Sequence, residues 1–273
     1  MFTVNEFTVP SKQKITNDEY HAHPATGSSD LKIILRSPAH YKYEKQNKSE
    51  PTPAMRFGTL AHAALLEPKI FAEAVEIPIF EGTGSRKAKE EWFRNHHGKM
   101  VLKADEMDTI RGMLVATSKN KTARALLAGG AAEEAFFDQC QETGVVRKAK
   151  PDFIRDNIIV DIKTTVDADP SEFAKQIAKL KYHLSAAYYL DVVGSVLGTK
   201  LEKFVIVAIE KEPPYGVSVH LLDEGTIDAG RHLYRKALKI LKECKDKNEW
   251  PGYPDKILST AIPHYAFPVE EAI

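Results

Sequence analysis

The sequence predicts an α/β protein: a helical N-terminal part, then a sheet of about five strands with a long helix inserted between the third and fourth. Three observations carry this. The first 128 residues hold alanine- and leucine-rich stretches bounded by Ser, Pro and Gly. Residues 133–164 change texture to short runs of branched and aromatic residues separated by turn formers. Beyond Ser171, two long helical patterns alternate with two further strand-like segments, an order that packs helices against a sheet.

Residues 1–30 are polar and rich in turn formers, and read as loop around His21, His23, Pro24 and Gly27. Ser28 and Ser29 precede a short capped helix over residues 30–35. Ser37-Pro38 ends or redirects it before a second short helix through Tyr41 and Tyr43. Residues 45–53 form a polar loop with two prolines. Residues 57–66 (FGTLAHAALL) read as a buried helix with His62 in its middle, stopped by Pro68. Residues 80–99 carry Gly82, Gly84 and many charges, and read as an exposed excursion. Residues 104–128 read as one or two amphipathic helices closed by Gly129-Gly130.

Segments 133–138, 145–154 and 158–164 then read as a three-stranded meander, turning at Glu142-Thr143-Gly144 and Arg155-Asp156-Asn157. Residues 171–197 read as one long helix with Pro170-Ser171 at its start and Gly194 and Gly198 near its end. Residues 203–209 and 217–221 are strands, and 223–250 a second long helix stopped by Pro251-Gly252. No internal repeat is visible. Residues 1–273 read as one domain, with 1–128 mainly helical, 129–255 forming the sheet and its helices, and 256–273 a tail.

Hydrophobic residues make up 43% of the 273, enough to bury a substantial core. Lys plus Arg number 38 and Asp plus Glu 38. That balance argues against coating nucleic acid by bulk attraction, but permits a local basic channel beside an acidic metal site. No run of about 18 apolar residues suggests a membrane span, and the N-terminus lacks the basic-then-apolar pattern of a secretory signal. A cytoplasmic protein is expected. The two cysteines, Cys140 and Cys244, cannot build a four-thiolate zinc or iron–sulfur site. A disulfide between them stays open, although nothing else points to an oxidising compartment.

The chemistry sits in Pro151-Asp152, eight residues, then Asp161-Ile162-Lys163. Residues two apart on a strand face the same side, so Asp161 and Lys163 project together while Ile162 points to the opposite layer. A hairpin brings Asp152 alongside. Carboxylate oxygens are the ligands Mg²⁺ or Mn²⁺ prefers. Such an ion acidifies a water and offsets charge on a phosphate. A neighbouring lysine can orient or deprotonate that water and neutralise the phosphate. The strand is too apolar for an edge, so a charged pair on it needs a reason. Glu133, at the start of the preceding strand, can supply a further ligand.

This PD…D-x-K arrangement, followed by a long helix, resembles the PD-(D/E)xK nuclease superfamily. More narrowly, the chain resembles the RecE-type exonucleases (exodeoxyribonuclease VIII) of bacteria and prophages. Ser37-Pro38-Ala39-His40, Gly58-Thr59-Leu60-Ala61-His62, Leu66-Glu67-Pro68, Ala132-Glu133, Lys150-Pro151-Asp152, Asp161-Ile162-Lys163-Thr164-Thr165, Tyr182-His183 with Tyr189, and Glu249-Trp250-Pro251 follow that family's order. The likeness spans about residues 28–255. It implies a core with a central mixed sheet flanked by helices. It also implies a Mg²⁺-dependent, ATP-independent exonuclease that degrades linear double-stranded DNA from the 5′ strand and leaves 3′ overhangs for recombination. His62, Glu133, Asp152, Asp161 and Lys163 match active-site positions. Asp152, Asp161, Glu133 and the Ile162 carbonyl would be metal ligands, with His62 beside them and Lys163 acting on the attacking water. A homo-oligomeric ring around DNA and a RecT-like single-strand annealing partner are implied as well. Relatives often carry glutamine where this chain has Ser185, four residues before Tyr189, and a serine reaches less far to a phosphate.

Several residues keep two readings. By its apolar surroundings His62 is a core histidine satisfied by a carbonyl; the resemblance places it at the site, where imidazole suits Mn²⁺ better than Mg²⁺. On a strand, Glu133 and Glu134 face opposite sides, so only one can serve. Tyr182 and His183 either touch DNA or pack. In residues 85–99, Arg86, Lys87, Lys89 and Arg94 interleave with Trp92 and Phe93, which suits a DNA end or a solvated helix anchored by its aromatics. His96, His97 and His264 lack metal-ligand spacing. The competing functions are an endonuclease or single-strand nuclease on the same core, and a non-catalytic DNA-binding subunit.

Overall fold

The computed structural model describes residues 9–47, 50–76 and 100–262. The charged excursion of residues 80–99 lies outside this set, with its basic and aromatic residues and His96 and His97, and so does His264.

Strand β1 (Ser11–Gln13) and helix α1 (Asn17–Ala22) come first, where the sequence suggested only loop. The helix forms because Thr16 and Glu19 cap each other: the Glu19 N–H donates to Thr16 Oγ1 at 3.2 Å and the Thr16 N–H to Glu19 Oε2 at 2.8 Å. Helices α2 (Ser28–Arg36), α3 (Pro38–Gln46), α4 (Pro53–Leu66) and α5 (Pro68–Ala74) follow. Three of them open on a proline at the first turn, where the missing N–H is no loss. Short strands β2 (Val75–Glu76) and β3 (Met100–Val101) pair with each other. Helices α6 (Ala104–Lys119) and α7 (Lys121–Leu126) complete the helical part.

The sheet region comprises β4 (Ala131–Ala132), β5 (Ala135–Gln139), β6 (Val146–Ala149), β7 (Phe153–Arg155) and β8 (Ile158–Thr165). Helices α8 (Pro170–Lys179) and α9 (Tyr182–Leu197), strands β9 (Lys203–Glu210) and β10 (Val217–Leu221), and helix α10 (Glu224–Lys247) follow. The expected meander is divided between two sheets. A five-stranded sheet runs β10-β9-β8-β7-β4, and a three-stranded sheet runs β1-β5-β6. The β8–β9 pair is parallel and the other ladders of the larger sheet antiparallel, so the sheet is mixed. Parallel neighbours need a crossover, which α8 and α9 provide.

The expected long helix over residues 171–197 is broken at Leu180-Lys181. Lys181 adopts φ +52°, ψ 44°, a left-handed conformation that costs a lysine about 1–2 kcal/mol. The break redirects the chain so that α9 starts beside β8, a tertiary requirement that leaves no mark in the periodicity. Helix α9 is buried along most of its length, through Leu184, Ala186, Ala187, Tyr188, Leu190, Val192 and Val193, and forms the main core with Leu31, Ile159, Phe173, Ile206 and Leu238. The other face of the larger sheet packs Val160, Ile162 and Val207 against Ala61 and Met113. Among the described residues no helix is long and apolar enough to cross a membrane.

Candidate active site

Strand β8 lies between β9 and β7, which agrees with its apolar character. Its alternation sends Ile159, Asp161 and Lys163 toward the layer of α2 and α9, and Val160 and Ile162 toward α4. Asp161 is only 6% exposed. Its carboxylate is paired with the Lys163 ammonium, which also donates to the Ile162 carbonyl at 3.2 Å. One cation thus holds two of the expected metal ligands.

The other acids come from the places where the chain passes between sheets. β4 pairs with β7, whereas β5 pairs with β6, so the polypeptide switches sheets at Glu133-Glu134 and again over residues 150–152. Glu133 is therefore not in a strand. It sits in the bend with φ +55°, and its N–H donates to the Asp152 carbonyl at 3.1 Å. Glu133 turns toward Asp152, while Glu134 turns away to pair with Lys12 at 2.8 Å. The β7–β8 ladder stops at Phe153↔Val160, and Asp152 extends it by accepting the Ile162 N–H at Oδ2, 2.6 Å.

Helix α4 delivers His62, whose Nδ1 lies 3.4 Å from Asp152 Oδ2. Ligand atoms of His62, Glu133 and Asp152 fall within 4.8 Å of one another. Carboxylate oxygens with one imidazole are a donor set suited to a hard divalent cation that tolerates nitrogen. A cleft of about 210 Å³ opens over them, lined also by Asn17, Tyr20, His21, Thr59 and Tyr189.

Burial raises the Glu133 carboxyl, and Asp152 beside it adds to the effect. Burial likewise raises Asp161, against the pull of Lys163. Asp152 goes the other way: burial opposes its charge, but His62, Lys163 and the Ile162 N–H outweigh it and hold it at about 2. Burial pushes His62 down, yet the Asp152 carboxylate wins and raises it. Lys163 is raised above the ordinary lysine range, Asp161 and Asp152 overcoming desolvation. Tyr189 is pushed up to about 12 by burial and by the Asp161 and Asp152 charges.

Of the residues expected to touch DNA, Tyr182 begins α9 with the Lys163 ammonium 5.4 Å from its ring centroid, and Tyr189 lines the cleft. His183 turns away; its Nδ1 lies 3.3 Å from the Ile177 carbonyl, and it borders a separate cavity with His220. Ser185 is not among the cleft-lining residues. Sequence reasoning missed two lysines. Lys150 pairs with Glu133 at 2.8 Å and donates to Asn17 Oδ1 at 2.6 Å; its place next to Pro151-Asp152 was the available signal. Lys32, on α2, has its ammonium 5.3 Å from the Tyr182 centroid. Desolvation, with Lys163 nearby, brings Lys32 down to about 8.

A family model described as a PDDEXK-like domain of unknown function (DUF3799) matches residues 27–260. The chain is similar to the crystal structure of a presumed exonuclease from Eubacterium rectale, with TM-score 0.61 and 14% identity over 92% of this chain and 97% of that one. This likeness is one of fold. A phage related exonuclease from Haemophilus somnus 129PT is more distant, at TM-score 0.37 and 11% identity over 85% of this chain and 100% of that one. No curated protein matches the chain.

Proposed function

The chain belongs to the DUF3799 family of PDDEXK-like domains, and from that premise we propose that it is a RecE-like, metal-dependent 5′-to-3′ exonuclease on linear double-stranded DNA. Its products would be 3′ single-stranded overhangs for recombination by strand annealing. The observation that carries the reading is the meeting of His62, Glu133 and Asp152 within 4.8 Å, directly beside the Asp161–Lys163 pair.

Glu133, Asp152 and His62 would hold the cation, with Asp161 and the Ile162 carbonyl completing the set. Mg²⁺ is the proposed ion and Mn²⁺ a substitute, since imidazole binds Mn²⁺ more readily. Bound there, the ion would acidify a water and offset phosphate charge. Lys163 keeps its proton, because Asp161 and Asp152 raise its pKa. Its part is therefore to orient the attacking water and donate to the phosphate, rather than to remove a proton. Tyr182 and Tyr189 flank the acids and would meet the strand being cut. The homo-oligomeric ring, the RecT-like partner, and a prophage or cytoplasmic setting belong to the same proposal and follow from the RecE resemblance.

Duplexes labelled at the 5′ or 3′ end, with and without Mg²⁺, test it. Release of 5′ label first, only with metal, and with closed circles left intact, is the expected result. Cleavage of circles would make the protein an endonuclease. Absence of any cleavage with Mg²⁺ or Mn²⁺ would refute the nuclease reading.

A further inference from the structure

We propose that Lys32 is a substrate-binding residue of this site, its ammonium placed beside Tyr182 to take a non-bridging phosphate oxygen of the nucleic-acid strand being cut. The proposal rests on the nuclease reading and adds a residue to it.

The lysines nearest the acids are already engaged. Lys163 is held by Asp161 and the Ile162 carbonyl, and Lys150 by Glu133 and Asn17. Lys32 makes no ion pair among the described residues, although it is partly buried. Its ammonium lies 5.3 Å, and that of Lys163 5.4 Å, from the centroid of the same Tyr182 ring. Two like charges therefore share one aromatic ring; Lys163 is paired directly with Asp161, whereas Lys32 feels the same carboxylate only at longer range. A partly buried cation without a directly paired anion is unfavourable, and the ring and the more distant Asp161 offset only part of that. A phosphate reaching the acid cluster would supply a direct partner.

The placement is rigid. Leu31 and Ile34 anchor α2 in the core on either side of Lys32, and Ser28 of the same helix is buried. Lysine acts on phosphate as a point charge, so the contact would position the strand without reading its bases.

Lys32→Ala, Lys32→Met and Lys32→Arg, compared with the parent chain on labelled linear duplex, test the assignment. Methionine keeps most of the apolar stem over Tyr182. The Ala and Met variants are expected to raise KM about tenfold and to make the slope of log KM against log salt shallower by about one. Arginine should recover most of the loss, and Mg²⁺ affinity by calorimetry should stay at the parent value in every variant. Parent-like KM and salt slope in both Ala and Met variants would overturn the proposal and leave the nuclease reading standing. Loss of Mg²⁺ affinity together with KM would also overturn it, because Lys32 would then act through the metal site. A parent chain that cuts no DNA would remove both readings.

Discussion

Asp152 Oδ2 accepts the backbone N–H of Ile162 at 2.6 Å, beyond the last β7–β8 pair, so one carboxylate both continues the sheet and faces the acid cluster. These roles separate by mutation. Asn at 152 can still accept the N–H but carries no charge. Asp152→Asn is therefore expected to stay folded, losing only the stability that comes from the charge facing His62 and Lys163, together with calorimetric Mg²⁺ binding and DNA digestion. Asp152→Ala should in addition lose about 1–3 kcal/mol of stability, from an orphaned N–H. Equal stability in the two variants would refute the clamp.

The His62–Asp152 contact predicts a pH signature in the metal-free protein. Asp152 raises His62 above its ordinary 6.5, against desolvation. Its contribution to stability is then complete below 6.5 and fades as pH rises through the folded value. Urea midpoints between about pH 6 and 9 should fall more steeply for the parent than for His62→Ala. The histidines lowered by burial, His23, His183 and His220, are present in both proteins and drop out of the difference. On the acid side Asp152, lowered from 3.8 to about 2, contributes stability above 3.8 that is lost as pH falls toward 2. Parallel curves across the alkaline window would exclude the His62 interaction.

Lys163 stands where a cation is expected, against Asp161 and the Ile162 carbonyl. Lys163→Ala should abolish digestion, by at least about 10²-fold given what a single electrostatic donor supplies, while circular dichroism stays native. Without the ammonium, the acids repel one another more strongly. The thermal midpoint of the metal-free variant should therefore drop, and saturating Mg²⁺ should raise it more than it raises the parent. Full digestion by this variant would sink the assigned role.

The Asp161-Ile162-Lys163 geometry was legible because a strand's period of two writes it directly into the chain, and the apolar run around it marked a central strand. Glu133 was legible as an acid but not as a bend: its left-handed backbone arises because the chain must leave one sheet for the other, and glutamate is no marker for that. His62 is surrounded by apolar neighbours in sequence, yet α4 carries it to the seam where β6 gives way to β7. Lys32 and the kink at Lys181 are set by the packing of α2 and α9, which no local pattern encodes. His183 sat in the expected motif, but it lies on the side of α9 away from the acids.

Gly230 decides how closely α10 can approach the start of α9. A Cβ there would meet the His183 carbonyl oxygen at 2.0 Å and its carbon at 2.5 Å. Both are backbone atoms, so relief requires the helices to separate. Gly230→Ala should lower stability by about 1–3 kcal/mol. Because Tyr182 precedes His183, it should also disturb the Tyr182 ring beside Lys163 and Lys32 and raise KM for DNA. The acids and His62 arise from β8, α4 and the two sheet-switching bends, so Mg²⁺ affinity should hold. Gly225→Ala is the control: on the same helix, its Cβ would meet Asp223 Oδ1 at an ordinary 3.7 Å, and helix propensity favours alanine. Equal stability of the two alanine variants would show that the approach at Gly230 is not tight. A loss of Mg²⁺ affinity in Gly230→Ala would show that α9 supports the metal site as well as the DNA-facing side.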